Sequence, residues 1–308
     1  MRTGYRALAG LALLAGLVGC SGLTQVQDTL SRFDEGAHAA AVAQMSFFRA
    51  ARTAECDAQL YGAAYDYAVG NAPAIDMRGT CTPQRLTDAQ LAIRQDLMNA
   101  ITLYADQLQA LATTDDNKKL DSNAQALAGK INGLAKSGGL RDASIAGGVE
   151  AAVIGLTGMA LDNTRFNDIR GAATAEQDNL ATVLATLKRE NVTMAAGIDS
   201  SLGTIRAEIA TVLAKTKERA GPSVFFDVAR ARGLLQRANP FGVSASAGMT
   251  DSGPAPDSVA ARLNATLESL TVANHAIATA GTGGIVAAVN DLVARAREAQ
   301  GLDAALNP

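Results

Sequence analysis

The chain has 308 residues, of which 48% are hydrophobic and only 4% aromatic, and it contains no tryptophan. An alanine-rich, low-proline sequence of this kind favours an all-α fold with closely packed helices over a sheet protein built on aromatic pairs. The formal net charge is −3, and no stretch combines clustered lysine and arginine with aromatic residues. The composition therefore argues against a nucleic-acid partner.

The N-terminus has the pattern of a secretory signal. Arg2 and Arg6 precede an apolar run, Leu8–Val18, which is too short to span a bilayer but suits the core of a signal peptide. If residues 1–19 are removed, the loss of the two arginines takes the formal charge from −3 to −5.

The apolar run ends in Leu17-Val18-Gly19-Cys20, which resembles the lipobox of bacterial lipoproteins. The resemblance covers the signal alone. It implies transfer of diacylglycerol to the Cys20 thiol, cleavage before Cys20 and acylation of the new amine, and two or more acyl chains make a stable membrane anchor. Ser21, rather than aspartate, follows the cysteine. By resemblance to lipoprotein sorting in enteric bacteria, this favours the outer membrane, facing the periplasm. An ordinary secretory signal or an uncleaved anchor is the alternative.

Two cysteines, Cys56 and Cys81, remain once Cys20 carries lipid. An even number of thiols in an oxidising compartment predicts a disulfide, which would hold the irregular segment between them against the preceding helix. A metal site or a reactive thiol pair is the alternative. Neither cysteine has a CxxC neighbour or a nearby histidine to favour it.

Helical spacing predicts a first helix from about Leu23 to Val69, with apolar positions continuing through Leu60 and a weak spot at Gly36. Three tyrosines near its end could stack on a sugar or a peptide, but they fit better as residues at the edge of the core: Tyr61, Tyr65 and Tyr67. A second helix follows, with Thr82 or Thr87 as its cap, and its apolar stripe reaches Leu111.

The longest amphipathic pattern runs from Asn163 to Lys217 and contains no proline. A single helix over this stretch would be roughly 80 Å long and would need partner helices to bury its stripe, so we expect it to organise the bundle. Its apolar positions are Phe166, Ile169, Ala173, Leu180, Leu184, Leu187, Met194, Ile198, Leu202, Ile205, Ile209 and Val212.

The segment Ala143–Leu161 is apolar or small throughout, apart from Glu150. Gly147, Ala151 and Gly155 have the spacing that lets helices approach backbone to backbone. The segment could penetrate a membrane or drive oligomerisation. Burial inside the bundle is the preferred interpretation, because a carboxylate in lipid costs about 2.5–3.5 kcal/mol on insertion scales.

The last third begins with a short cationic amphipathic segment, Val224–Arg237. It could lie on a membrane or contact a partner, or it could close one end of the bundle. Its candidate contact residues are Phe225, Phe226, Arg230 and Arg232. A flexible loop is predicted near residues 240–258, followed by a helix from Val259 that a turn at Gly281–Gly284 interrupts. We treat residues 20–308 as one domain.

The sequence offers little that indicates catalysis. It has two histidines, His38 and His275, and each stands among mostly small or apolar neighbours. No metalloprotease, serine-hydrolase, phosphate-loop or calcium-loop motif is present. We therefore predict no catalytic residue, no metal and no cofactor.

The sequence as a whole predicts an all-α bundle of long amphipathic helices with coiled-coil-like packing and one disulfide. The expected function is a lipid-anchored scaffold or protein-binding role in the bacterial cell envelope. The first alternative is a membrane-interacting or homo-oligomeric protein that uses Ala143–Leu161 and Val224–Arg237. An enzyme is the third.

Overall fold

The computed structural model describes residues 5–74, 81–112, 166–217 and 258–306. Every regular element in these ranges is a helix, so the predicted all-α class is confirmed. The six helices are α1 (Tyr5–Val69), α2 (Asp88–Ala112), α3 (Phe166–Ala175), α4 (Gln177–Lys217), α5 (Val259–Thr279) and α6 (Thr282–Leu306).

Helix α1 forms the centre of the described bundle. It packs against α2, α4 and α6, and more weakly against α5. Residues 43–48 are buried without a break, as expected for a helix surrounded by others rather than lying on a surface. We expected the stretch after Asn163 to have this central position; it supplies one of the helices around α1 instead.

Contacts along α1 establish the directions of its neighbours. The side chain of Gln27 donates to the carbonyl of Ala112, and Arg52 pairs with Asp88, so α2 runs antiparallel to α1. Gln44 contacts Asn191 on α4, and a Cβ built on Gly62 lies 3.4 Å from Glu208 Oε1. Helix α4 therefore runs parallel to α1.

The stretch from Phe166 to Lys217 is helical and buries its predicted stripe, but it forms two helices, with a turn at Glu176 between α3 and α4. Backbone hydrogen bonds on both sides of Glu176 keep the two segments in helical continuity. Val212, predicted on the buried stripe, is 37% exposed. The last turns of α4 therefore extend beyond the packed core.

Local hydrogen bonds explain where α2 and α5 begin. Thr87 and Gln90 form a reciprocal pair: each side chain accepts a hydrogen bond from the other residue's backbone N–H. This capping box confirms Thr87, rather than Thr82, as the start signal. Ser258, the last residue of the predicted flexible loop, is buried and accepts from the backbone N–H of Ala261 as the N-cap of α5. The rest of that loop lies outside the described residues.

Polar side chains link helices through the core of the described residues, and three examples are the clearest. Gln44, Asn191 and Asn264 form one hydrogen-bonded group that links α1, α4 and α5. The hydroxyl of Tyr104 on α2 donates to Asn274 Oδ1 on α5 over 2.5 Å. The third is the buried ion pair of Arg94 and Glu190. Such groups cost free energy when unpaired, so they favour one register of the helices.

Candidate functional site

The predicted disulfide between Cys56 and Cys81 is present, with the two Cα atoms 5.2 Å apart. Hydrogen bonds reinforce it on both sides. The side chain of Gln59 donates to the carbonyl of Thr82 and accepts from its backbone N–H. The Glu55 carboxylate accepts from the backbone N–H groups of Gln84 and Arg85. The bridge and these bonds hold the segment that leads into α2 against α1.

Other predicted site residues lie where the structure gives no side-chain description. Cys20 falls within α1, but nothing is described of its side chain. Phe225, Phe226, Arg230 and Arg232 lie outside the described residues, as does the segment Ala143–Leu161. Among the described residues, no helix is both long enough and apolar enough to cross a membrane.

A cluster of three side chains, Asp34, His38 and Asp106, lies where α1 meets α2. Asp34 and His38 are one helical turn apart on α1, and Asp106 faces them from α2. The Nε2 atom of His38 lies 2.9 Å from Asp106 Oδ1 and 3.5 Å from Asp34 Oδ1. One ligand atom from each residue lies within 4.8 Å of the others. The site is half open to solvent, because the side chain of His38 is 49% exposed and that of Asp34 only 19%.

The two carboxyl groups of the cluster differ in charge state. Burial, followed by the hydrogen bond and the charge of Asp106, raises the pKa of Asp34 to about 7. Burial acts in the same direction on Asp106, but hydrogen bonds with His38 and Asp34 outweigh it and lower its pKa. The hydrogen bond to Asp106 and the charges of both acids raise the pKa of His38 against the effect of its burial. This is the behaviour of acids too close together to ionise independently.

His38 stands among small and apolar residues in the sequence, but in the structure its ring lies against Asp34 and Asp106. The sequence carried one signal for the cluster, the spacing of four between Asp34 and His38, which puts them on the same helical face. The third member, Asp106, is 68 residues from His38 and becomes a neighbour only when α2 packs against α1. His275 is not part of the group: its Nδ1 lies 3.3 Å from Gln177 Oε1.

A second surface feature lies at the C-terminal end of α1. Leu60 and Tyr67, two helical turns apart on one face, are 45% and 51% exposed. Val212 is exposed near the corresponding end of the parallel helix α4. Tyr61 packs partly against the core, in agreement with the core-edge interpretation, whereas Leu60 is not the buried position that its spacing predicted.

Comparisons of the chain with protein-family models, curated proteins and solved structures find no match. Its function must therefore be argued from its own residues. Three features bear on function. They are the lipobox-like N-terminus, the disulfide-linked and partly apolar end of α1 around Leu60, and the cluster of Asp34, His38 and Asp106.

Proposed function

We propose that the chain is a lipid-anchored protein of the bacterial cell envelope, and that its helical bundle binds a protein partner in a non-catalytic, scaffold-like role. The observation that carries this proposal is the position of Cys20. The lipobox-like sequence Leu17-Val18-Gly19-Cys20 lies within α1, the same helix that forms the centre of the bundle. A lipid on Cys20 would therefore attach the membrane to the core helix rather than to a separate tail.

Because α1 is one continuous helix, the distance along it from Cys20 to its C-terminal end can be calculated. Leu60 follows Cys20 by forty residues, which correspond to about 60 Å along a helix with a rise of 1.5 Å per residue. The exposed side chains of Leu60 and Tyr67 would then face the periplasm at that distance from the membrane. Tyrosine is enriched in protein interfaces, because it offers a large rigid contact area with a polar tip.

The surface around Leu60 is also held in place. The Cys56–Cys81 disulfide and the Gln59–Thr82 hydrogen bonds fix the neighbouring segment to α1 within about one turn of Leu60. Preorganisation of this kind lowers the ordering cost of binding. This supports a partner-binding surface at the C-terminal end of α1.

The anchor is tested by metabolic labelling with a palmitate analogue in cells that express the full chain. We expect label in the wild type and in Cys56→Ser/Cys81→Ser, but none in Cys20→Ser, because only Cys20 supplies the lipidated thiol and amine. The wild type should also fractionate with the outer membrane. Absence of label from the wild type, or equal label in Cys20→Ser, would refute the lipoprotein assignment.

The partner surface is tested by site-specific photo-cross-linking in the same cells. A cross-linker at position 60 or 67 should give one discrete heteromeric product. A matched probe at Val272, which is 51% exposed on α5, should not. Products of two copies of the chain would indicate a homo-oligomer instead. Equal products from all three positions would show that this end of α1 has no special role.

The membrane-interacting alternative is separated from the scaffold role by a leakage assay. Purified residues 20–308 without lipid would be added to dye-filled vesicles of anionic and neutral phospholipids. A scaffold leaves the vesicles intact, whereas leakage that depends on Ala143–Leu161 or Val224–Arg237 would favour the alternative.

A further inference from the structure

We propose that Asp34, His38 and Asp106 form a binding site for a first-row divalent cation, with Zn²⁺ as the best match. The three side chains supply one imidazole nitrogen and two carboxylate oxygens from two neighbouring helices. A mixed set of nitrogen and oxygen donors suits zinc and its first-row neighbours, whereas calcium and magnesium prefer oxygen ligands alone.

The donor distances are those of a chelating group. Bonds of about 2.1 Å place adjacent ligands roughly 3.0 Å apart in an octahedron and roughly 3.4 Å apart in a tetrahedron. The separations from His38 Nε2 are 2.9 Å to Asp106 Oδ1 and 3.5 Å to Asp34 Oδ1. The two separations from His38 lie close to these values, and all three ligand atoms lie within 4.8 Å of one another, so side-chain rotation can bring them onto one cation. The exposed side of His38 leaves room for water to complete the coordination.

The state of Asp34 is a separate observation that favours a ligand. The Asp34 side chain interacts with Asp106, but its buried Oδ1 atom forms no hydrogen bond in the described part of the chain and lies 3.5 Å from His38 Nε2. Buried polar atoms in folded proteins are almost always satisfied, so an unsatisfied carboxylate oxygen that faces two further donors indicates an additional binding partner. A cation bound to this oxygen would satisfy it.

The charge of the cluster points in the same direction. Among the described residues, neither Asp34 nor Asp106 forms an ion pair with lysine or arginine, and His38 is the single basic group in contact with them. Neighbouring acids on α1 do have such partners: Glu35 pairs with Arg297 of α6. A divalent cation bound to two ionised carboxylates and a neutral imidazole would leave the cluster without net charge, and its binding would displace the protons that Asp34 and His38 hold in its absence.

Spacing along the helices makes the site geometrically stable. Asp34 and His38 lie four residues apart on α1, and this spacing places both side chains on the same face of the helix. Asp106 is held opposite them by the antiparallel packing of α2, whose neighbouring residues Tyr104, Ala105 and Leu108 are buried in the core. Rigid helices, rather than loops, therefore position all three ligands.

The test is calorimetric titration of the purified chain, residues 20–308, with ZnCl₂ after treatment with chelator. The chain's two histidines provide a matched control. We expect one zinc per chain in the wild type and in His275→Gln, and binding at least about tenfold weaker in His38→Gln and Asp106→Asn. MgCl₂ should give no comparable heat. Circular dichroism would confirm that each variant retains wild-type helicity.

A measurement on the wild type removes any dependence on how the variants fold. In its NMR spectrum, zinc should shift the ring protons of His38 and leave those of His275 unchanged. The proposal is overturned if zinc does not bind, if it shifts both histidines alike, or if its affinity is the same in His38→Gln as in the wild type. None of these outcomes would bear on the lipid anchor at Cys20.

Discussion

Gly36 of α1 lies against Leu292 of α6 at a distance that leaves no room for a side chain. A Cβ built on Gly36 would be 2.8 Å from Leu292 Cγ and 3.0 Å from its Cδ2 atom. Helix α1 continues through Gly36, the position where its apolar spacing is weakest. The glycine is a point of close contact between the parallel helices α1 and α6, and the pairing of Arg297 with Glu35 lies beside it.

The first prediction concerns this contact. Gly36→Ala should lower the free energy of unfolding by about 1–2 kcal/mol, because overpacking of the core costs more than the better helix propensity of alanine contributes. Gly203→Ala is the matched control: it lies on an exposed face of α4 with nothing within 4 Å of the added Cβ. That variant should be stabilised by about 0.5–1 kcal/mol. Urea denaturation measures the unfolding free energy of each variant. Equal changes in the same direction for Gly36→Ala and Gly203→Ala would contradict the overpacking at Leu292.

The second prediction concerns the buried pair of Arg94 and Glu190. Their side chains are 3% and 10% exposed, the Nη2–Oε1 distance is 2.8 Å, and the Arg94 guanidinium also lies 5.5 Å from the centre of the Phe48 ring. Arg94→Met should lower the unfolding free energy by about 3 kcal/mol, because it leaves the Glu190 carboxylate buried without its cation. The double variant Arg94→Met/Glu190→Met should recover most of this loss. A double variant as unstable as the sum of the two single variants would contradict the pairing.

The third prediction is a pH dependence at the same pair. Burial raises the pKa of Glu190 even though the charge and hydrogen bond of Arg94 act to lower it. A raised carboxyl pKa in the folded state means that stability is greatest when the group is protonated and falls as the pH rises through that pKa. Without Arg94 the pKa of Glu190 should rise further.

The instability of Arg94→Met relative to the wild type should therefore shrink as the pH is lowered and Glu190 becomes protonated. The Arg94→Met/Glu190→Met variant is the control. It has no titrating group at this position, so its difference from the wild type should change much less over the same pH range. Parallel pH profiles for the two variants would show that Glu190 is not the group responsible.

Much of the fold could be predicted from local patterns. The spacing of apolar residues locates the helices, and two threonines, at positions 82 and 87, are the candidate start signals of α2. Cysteine count with compartment predicts the bridge of Cys56 and Cys81. These signals act over one to a few helical turns or, for the disulfide, over a loop of 25 residues.

Relationships between distant helices could not be predicted in this way. Several helices have an apolar stripe, and the sequence does not say which helix is covered on all sides. In α1 the polar residues Gln44 and Ser46 are buried together with the apolar residues around them, and only the structure reveals this. The cluster at His38 required the pairing of α1 with α2. A polar residue in the core, such as Asn191, looks like a solvent-facing position until its partners are known.

The last prediction concerns the Cys56–Cys81 disulfide, which holds the proposed partner surface in place. Cys56→Ser/Cys81→Ser should lower the unfolding free energy by about 3 kcal/mol, because the unfolded chain regains the freedom of a 25-residue loop. The thermal midpoint should fall by roughly 5–10 °C. Cys20→Ser, in the same purified chain, should leave it unchanged.

The loss should also be local. Gln59 and Glu55 keep their hydrogen bonds to the segment after Cys81, but these bonds are exposed and weak on their own. Amide hydrogen exchange should therefore quicken at residues 82–90 and near Leu60, while the buried run at residues 43–48 stays protected. If exchange rises equally at both places, the bridge supports the whole bundle rather than the end of α1. If it rises at neither, the hydrogen bonds alone hold that end.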